Sequence, residues 1–345
     1  MGTAGRGRVT ITDVAQHVGV STSAVSKVLR NAYGVSPEMR DRVRAAMAEL
    51  GYRPHAAARG MRGRTYTIGV LMDGIRNAFF ADLLDGMNGV LGDTEYAMLI
   101  GYSGAGPEEQ YKATFAMVDR QVDGLILIAP TFGRQEVEKT ATAVPTVVIG
   151  HHDASPHYDL VVNDDAAGAR EVVDHLVGLG HRRIGLISSP PVEGSGWTRP
   201  PAVVASEGYR EAMAAHGLAD PLRIVPAAFT DEGGYRGAVK LLSASEPPTA
   251  IFAGADVAAT GVFRAAAELG LRIPEELSLA GYNNTAVAAL EPVQLTSVDQ
   301  AGGDMGAMAA RLLLERIEDR RTRSLTRSVT PSLVIRRTTA PPPRG

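Results

Sequence analysis

Apolar residues recur at helical spacing near the N-terminus, and as strand-length runs between amphipathic stretches from Thr65 onward. In TITDVAQHVGVSTSAVSKVLRN, Thr10 to Asn31, the residues Val14, Ala15 and Val18 share one helical face. Thr10 is placed to cap that helix, with Asp13 near the positive end of its dipole. Gly19 supplies a sharp turn because it accepts positive φ at no steric cost. Ser21 then caps a second helix that turns Val25, Val28 and Leu29 inward and leaves Thr22, Ser23, Ser26 and Lys27 outside. Ser36 and Pro37 read as the N-cap and first turn of a third helix. It runs to about Leu50, with Met39, Val43, Met47 and Leu50 on its inner face and Gly51 ending it. Arg40, Arg42 and Arg44 lie mostly off that face, within reach of phosphates.

Small polar groups and one cation near a helix N-terminus suit the major groove, where base edges offer donors and acceptors. The alternative is a helical hairpin whose polar face is merely solvated. Residues 53–63, RPHAAARGMRG, form a linker too short to persist as an isolated helix in water. They are either a helix when held or a plain tether. Beyond it lie the runs Ile68–Met72, Met98–Ile100, Leu125–Ile128, Thr146–Ile149, Ile184–Ile187, Ala250–Ala253 and Leu277–Ala280. Amphipathic segments such as Phe80–Leu91 and Ala166–Leu179 separate them. That βαβ rhythm predicts an α/β body of parallel sheets covered by helices, long enough for two subdomains.

Composition sharpens this picture at one point. The chain of 345 residues carries a net charge of −3, but eleven basic residues up to Arg64 face four acidic ones. The head is therefore +7 and the body −10. A basic head is what a phosphate-binding module needs, because neutralising phosphates releases counterions. There are no cysteines, hence no disulfide and no thiolate metal site. No leader-like or membrane-length apolar run is read in the sequence, so a cytoplasmic protein is expected.

VTITDVAQHVGVSTSAVSKVLRN and VSPEMRDRVRAAMAELGYRPHAAARGMR resemble the headpiece of the lactose/galactose repressor family of bacterial transcription regulators. The similarity continues in TYTIGVLMDGIRNAFF, HLVGLGHRRIGLI, GYREAM, LAGYNN, LTSVDQ and PSLVIRRTT, over roughly residues 9 to 340. It implies a helix-turn-helix headpiece over 1–52, a hinge helix or linker over 53–64, and a periplasmic-binding-protein-like core over 65–345. The core would have an N-lobe of about 65–162 and 299–329, and a C-lobe of about 163–298 and 330–340. The chain would cross between them near Val162, Val298 and Thr330. The resemblance places base contacts on Thr22, Ser23 and Lys27 and a minor-groove wedge on Met61. Thr10, Ser21, Ser26, Asn31, His55 and Ala58 complete the expected DNA-facing set. Gly60 beside Met61 lowers helix propensity in the hinge.

Ligands in open α/β sheets bind at the carboxyl ends of strands, here the cleft between lobes. Asp73, Asn77, Phe79 and Phe80 follow the first core strand, and one of the two phenylalanines is expected in the core instead. Phe229 falls where the family sets an aromatic ring against its effector. Asp256 and Asn283 end strands, either orienting hydroxyls or capping the next helix. Three departures from the family pattern stand out: Ala255 for an asparagine, Asn283 for an aspartate, and Ala205 for an effector-grasping arginine. Ser189 to Ala202 looks expanded. Its Trp197 and Arg199 either replace the missing arginine or belong to a surface insertion. These losses remove the ground for naming a specific sugar, and above all an anionic ligand.

No catalytic constellation emerges: there is no HExxH, no GxSxG elbow, no Walker loop, and GYSGAG lacks the dinucleotide spacing. His151 and His152 are read as a loop cap more readily than as cleft groups. The expectation is a DNA-binding repressor, not an enzyme, without cofactor or metal. It would bind a palindromic operator as a homodimer under allosteric control by a small-molecule effector, a sugar by resemblance. A transport protein of the same core fold and a nucleotide-dependent enzyme are the alternatives. The basic head disfavours the first and the missing phosphate motif the second.

Overall fold

The structure is a computed structural model that describes residues 9–29, 33–52, 64–104, 106–219 and 223–343. The linker reading and the assignments to Asn31, His55, Ala58 and Met61 lie outside the described residues. The chain divides into two units, Met1–Thr65 and Tyr66–Gly345.

The first unit contains α1 (Ile11–Val18), α2 (Thr22–Leu29) and α3 (Pro37–Leu50). Thr10 and Asp13 form a reciprocal capping box. Gly19 closes α1 at φ 74°, with the Val20 N–H returning to the Ala15 carbonyl at 2.9 Å. Val14, Ala15, Val18, Val25, Val28, Val43 and Ala46 form a small core, with Leu29, Met39, Met47 and Leu50 packed half-buried against it. Because so small a core cannot absorb misplaced loops, the caps that set each helix start carry much of the definition.

The second unit holds two six-stranded sheets. One is ordered β11-β5-β4-β3-β1-β2, from β1 (Thr67–Met72), β2 (Ala97–Tyr102), β3 (Gly124–Ile128), β4 (Thr146–Ile149), β5 (Asp159–Asn163) and β11 (Thr326–Val329). The other is ordered β12-β10-β9-β8-β6-β7, from β6 (Ile184–Ser188), β7 (Ile224–Pro226), β8 (Ala250–Ala253), β9 (Ser278–Tyr282), β10 (Thr296–Asp299) and β12 (Ser332–Val334). All pairings are parallel except β10 with β12. The chain passes between the sheets after β5, after β10, and between β11 and β12. The sheets are called the N-lobe and C-lobe below.

In the N-lobe, Ile68, Val70, Met72, Ile126 and Ile128 meet α4 (Phe79–Leu91) and α11 (Gly302–Glu318). The alternate residues Leu71, Leu125 and Leu127 face α5 (Pro107–Asp119) and α6 (Arg134–Ala143). The C-lobe repeats this scheme. Its faces are covered by α7 (Asp165–Gly178) with α8 (Pro201–Ala215), and by α9 (Asp231–Leu242) with α10 (Asp256–Glu268). Burial on both faces explains why the inner strands read as continuous apolar runs, while edge strand β2 is apolar but partly exposed.

The seven anticipated runs are strands, but β5, β7, β10, β11 and β12 were not anticipated as strands. Four of them are short or polar, as in β10, TSVD, and β11, TRSV, and are held by backbone pairing to an existing sheet. β5 is different: its Leu160, Val161 and Val162 are buried in the N-lobe core, but the apolar run is only three residues long between Asp159 and Asn163.

α4 and α11 cross at backbone contact. A Cβ on Gly86 would sit 1.9 Å from the Gly303 carbonyl oxygen, and one on Gly306 1.9 Å from that of Leu83. Neither backbone can yield without parting the helices over the N-lobe core. Gly86→Ala is therefore expected to destabilise the protein by about 1–3 kcal/mol despite its better helix propensity. Urea unfolding followed by circular dichroism checks this; unchanged stability would show that the helices part freely.

Candidate functional site

On the head, α2 turns Val25 and Val28 into the core and leaves Thr22, Ser23 and Lys27 exposed, with Ser26 half-buried. Two of the expected DNA-facing hydroxyls have structural work. Thr10 donates to Asp13 Oδ2 at 2.8 Å and accepts the Asp13 N–H, while Ser21 accepts the Ala24 N–H at 3.1 Å. These caps hold the polar face at a defined angle. Arg42 departs from its expected phosphate role: its Nη2 donates to the Val18 carbonyl at 2.9 Å, tying α3 to the C-terminal end of α1. The cation lies at the negative end of that helix dipole. Arg44 is exposed.

In the core, the anticipated cleft residues separate into groups at strand ends and groups built into the fold. Asp73, just past β1, is half-buried, and burial raises its carboxyl pKa against the opposing pull of a backbone hydrogen bond. Asn77 Oδ1 accepts the Phe79 N–H at 3.1 Å, which sets the start of α4. Phe79 belongs to the core, its ring against Gly302 at the head of α11, and Phe80 packs half-buried on the same cluster. Phe229 follows β7 and lays a half-buried ring over Gly254, at the carboxyl end of β8.

Asp256 does not cap α10, and both its oxygens are engaged within the fold. It accepts from Thr285 N–H at 2.7 Å, the Thr285 hydroxyl at 2.9 Å and the Ser297 hydroxyl at 2.6 Å. It thereby ties the start of α10 to the turn after β9 and to β10. Burial raises its pKa more than these bonds lower it. Neither does Trp197 replace the missing arginine. Its indole lies in the N-lobe core, its N–H donating to the Phe132 carbonyl at 2.8 Å. The Arg199 guanidinium is half-exposed and 3.4 Å from Glu207.

Among the described residues, three buried acceptors at carboxyl ends of strands have no hydrogen-bond partner: Asn163 Oδ1 ending β5, His151 Nδ1 after β4 and Asn283 Oδ1 after β9. His151 donates Nε2–H to the Pro130 carbonyl at 2.7 Å. Burial drives its pKa down to about 4, so the ring is neutral and Nδ1 carries a lone pair. Asn163 donates Nδ2–H to the Gln300 carbonyl at 3.0 Å, between two crossings of the chain. Asn283 sits at φ 111°, a conformation disfavoured for residues with a Cβ, and is 8 % exposed. Asn283 thus combines an unsatisfied acceptor with a strained backbone, two costs to stability at one residue. Asn283→Gly, which removes both, is expected to raise stability by about 1 kcal/mol even after the entropic cost of glycine. A lower thermal midpoint in the variant would show that Asn283 is held for structure.

His151 and Asn163 were not assigned to the site from sequence. The only local signal was a histidine pair after a strand-like run. Of that pair, His152 Nε2 meets Asp165 Oδ2 at 2.8 Å, and Asp165 also accepts from Tyr282 at 3.0 Å, joining β4's loop to α7 and β9. Among the described residues no cluster of His, Cys, Asp or Glu could hold a metal ion, and no helix is long and apolar enough to cross a membrane.

Residues 10–55 match the family described as bacterial regulatory proteins, lacI family, and residues 173–339 match a periplasmic binding protein-like domain. The HTH-type transcriptional repressor PurR of Klebsiella pneumoniae (strain 342) is 33% identical over 339 residues, 97% of this chain and 98% of that protein. The chain belongs to the lacI family. The ribose operon repressor of Haemophilus influenzae is 32% identical, covering 95% of this chain and 97% of its own. A crystal structure of the lac repressor dimer bound to operator and the anti-inducer ONPF superposes with a TM-score of 0.82 at 26% identity, covering 97% of this chain and all of that one. This lacI-family protein is thus a DNA-binding transcriptional repressor with an effector-binding core, and not an enzyme.

Proposed function

We propose that two copies of this chain bind a palindromic operator and that a neutral, hydroxyl-rich effector, a sugar in the first instance, controls them from the interlobe cleft in the cytoplasm. The polar face of α2 carries the DNA half of the reading: Thr22, Ser23 and Lys27 are exposed on a helix whose opposite face is locked into a capped core. Recognition helices enter the major groove with such N-terminal residues foremost. Thr10, Ser21, Ser26 and Asn31 flank that contact, while His55, Ala58 and Met61 follow in the hinge.

The effector half rests on the three partnerless acceptors, which ask for a ligand that donates hydrogen bonds. Ala205 supplies no guanidinium, so a carboxylate or phosphate gains nothing there. Asp73, Asn77, Phe80 and Phe229 are the neighbouring groups that would orient such a ligand, the Phe229 ring against its apolar face. Exposed apolar residues support a dimer: Ile100 and Tyr102 on edge strand β2, and Leu269, Val287 and Leu290 in the C-lobe. An uncovered edge of this kind invites pairing, and a second copy covers it. The effector would act by its differential affinity for two lobe arrangements, changing the hinge separation available to the heads.

The deciding experiment selects bound duplexes from a random pool with the full chain and with residues 65–345. A palindrome recovered only with the full chain is expected. Equal enrichment by the core alone, or no enrichment, would overturn the DNA reading.

A further inference from the structure

Between β6 and α8 the chain leaves its own lobe. Residues 189–200 form a strap that lies on the N-lobe and then returns. Asp153, in the N-lobe, collects three hydrogen bonds from it: the Thr198 N–H at 3.0 Å, the Thr198 hydroxyl, and the Arg199 N–H at 3.0 Å. The Ser195 carbonyl accepts from Arg134 N–H at 2.8 Å, and the Arg199 carbonyl from His152 N–H at 3.0 Å. The Trp197 ring enters the N-lobe core and stacks on His151, with centroids 4.0 Å apart and planes 13° from parallel. An insertion that simply decorated the surface would not bury a tryptophan in the opposite lobe.

The strap is stiff where it leaves and where it returns. Pro190 and Pro191 stand at one end, Pro200 and Pro201 at the other, each with φ fixed by its ring. Its roots are joined: Ser188 Oγ is 2.9 Å from Ser206 Oγ and donates to the Ala202 carbonyl at 3.2 Å. The strap is therefore anchored in the C-lobe at both ends, and rotation of one lobe against the other pulls on the contacts of Trp197 with His151 and of Asp153 with its donors.

We infer that residues 189–200 are an interlobe clasp which, docked on Asp153 and His151, holds one arrangement of the lobes with no ligand bound. Asp153 and Trp197 then set the population of that arrangement, and an effector shifts it only by working with or against the clasp. The output on DNA rests on the repressor reading; the clasp itself does not.

Trp197 is the single tryptophan of the chain, and there is no cysteine, so both manipulations are clean in the full-length protein. Asp153→Ala is expected to release the strap, shifting tryptophan emission to the red and raising acrylamide quenching several-fold. Affinity for the operator selected by the wild type should change about tenfold, within the usual range of allosteric coupling.

The opposite manipulation locks the strap. A Cβ at Gly196 would lie 3.7 Å from that of Arg134, the separation a disulfide requires. In Arg134→Cys/Gly196→Cys, oxidation should move operator affinity opposite to Asp153→Ala, and reduction should reverse it. Both redox forms carry the same substitutions, including the strain of a side chain at φ 74°, so their comparison also decides the matter if Asp153→Ala fails to fold.

Unaltered tryptophan emission and quenching in Asp153→Ala would overturn the docking. Equal operator affinity of the oxidised and reduced forms would overturn the control of DNA binding. A wild type that selects no operator would defeat the repressor reading, while the fluorescence experiment still judges the clasp.

Discussion

Asp159→Ala is expected to destabilise the core by about 3–5 kcal/mol, a large part of the stability of an ordinary domain. Asp159 opens β5 and is wholly buried. Arg316 Nη2 reaches its Oδ1 at 2.8 Å and Arg321 Nη2 its Oδ2 at 2.6 Å, while the Leu325 N–H donates at 2.8 Å. The carboxylate thus joins β5, the end of α11 and the lead into β11 at one point. Without it, two guanidiniums with little access to water lose their counter-charge and a backbone N–H its acceptor. The cost is the desolvation left behind rather than the worth of the pair. A loss under about 1 kcal/mol in urea unfolding would mean the site behaves like an exposed salt bridge.

The same residue gives a pH dependence of known sign. Burial raises the Asp159 pKa, but the Arg321 and Arg316 bonds and the Leu325 N–H outweigh it and hold the carboxyl below its ordinary value. The unfolded chain therefore takes up this proton more readily than the folded one. The stabilisation is complete above the ordinary aspartate pKa of about 3.9 and is lost as pH falls through the lower folded value. The stability gap between wild type and Asp159→Ala should close over that acid range and stay constant above it.

Lys27→Ala is expected to relax preference at one base in each half of the operator, by about 1–3 kcal/mol, roughly five- to 150-fold. Lys27 stands one turn beyond Ser23 on the exposed side of α2, and Val28 next to it is buried. The ammonium is thus on the side that a groove would meet. Selection with the variant, repeated at several salt concentrations, separates the two roles of a cation. An unchanged consensus with a salt slope about one unit shallower would make Lys27 a phosphate contact and end its assignment as a reader.

How much of this was legible depended on the distance over which each feature is decided. The Thr10 N-cap, the Gly19 turn and the N-cap at Ser36 each lie within one or two helical turns, and the sequence shows them directly. Continuous apolar runs announced the central strands because parallel strands are buried on both faces. Strand β10, by contrast, is polar and four residues long; its place follows from pairing with β9 and β12. Phe79 and Phe80 looked alike beside Asp73, and only the close approach of α11 sends Phe79 into the core. Asp256 read as a cap or a ligand group until Thr285 and Ser297, brought in by β9 and β10, claimed both its oxygens.

Trp197 shows the limit most sharply. Its surroundings in sequence, proline and glycine, describe a loop and nothing more. That the loop crosses to the other lobe is decided by Asp153 and His151, more than forty residues earlier. By itself the sequence determined the head's three-helix pattern, the basic bias that points to DNA, and the α/β character of the core. Those follow from local periodicity, caps and charge, which need no knowledge of what lies across the fold. The tertiary structure alone decided which polar groups are consumed internally, which buried acceptors are left without partners, and where the strap docks. Each of those is a competition for hydrogen bonds among groups far apart in the chain, settled only when the sheets bring them together.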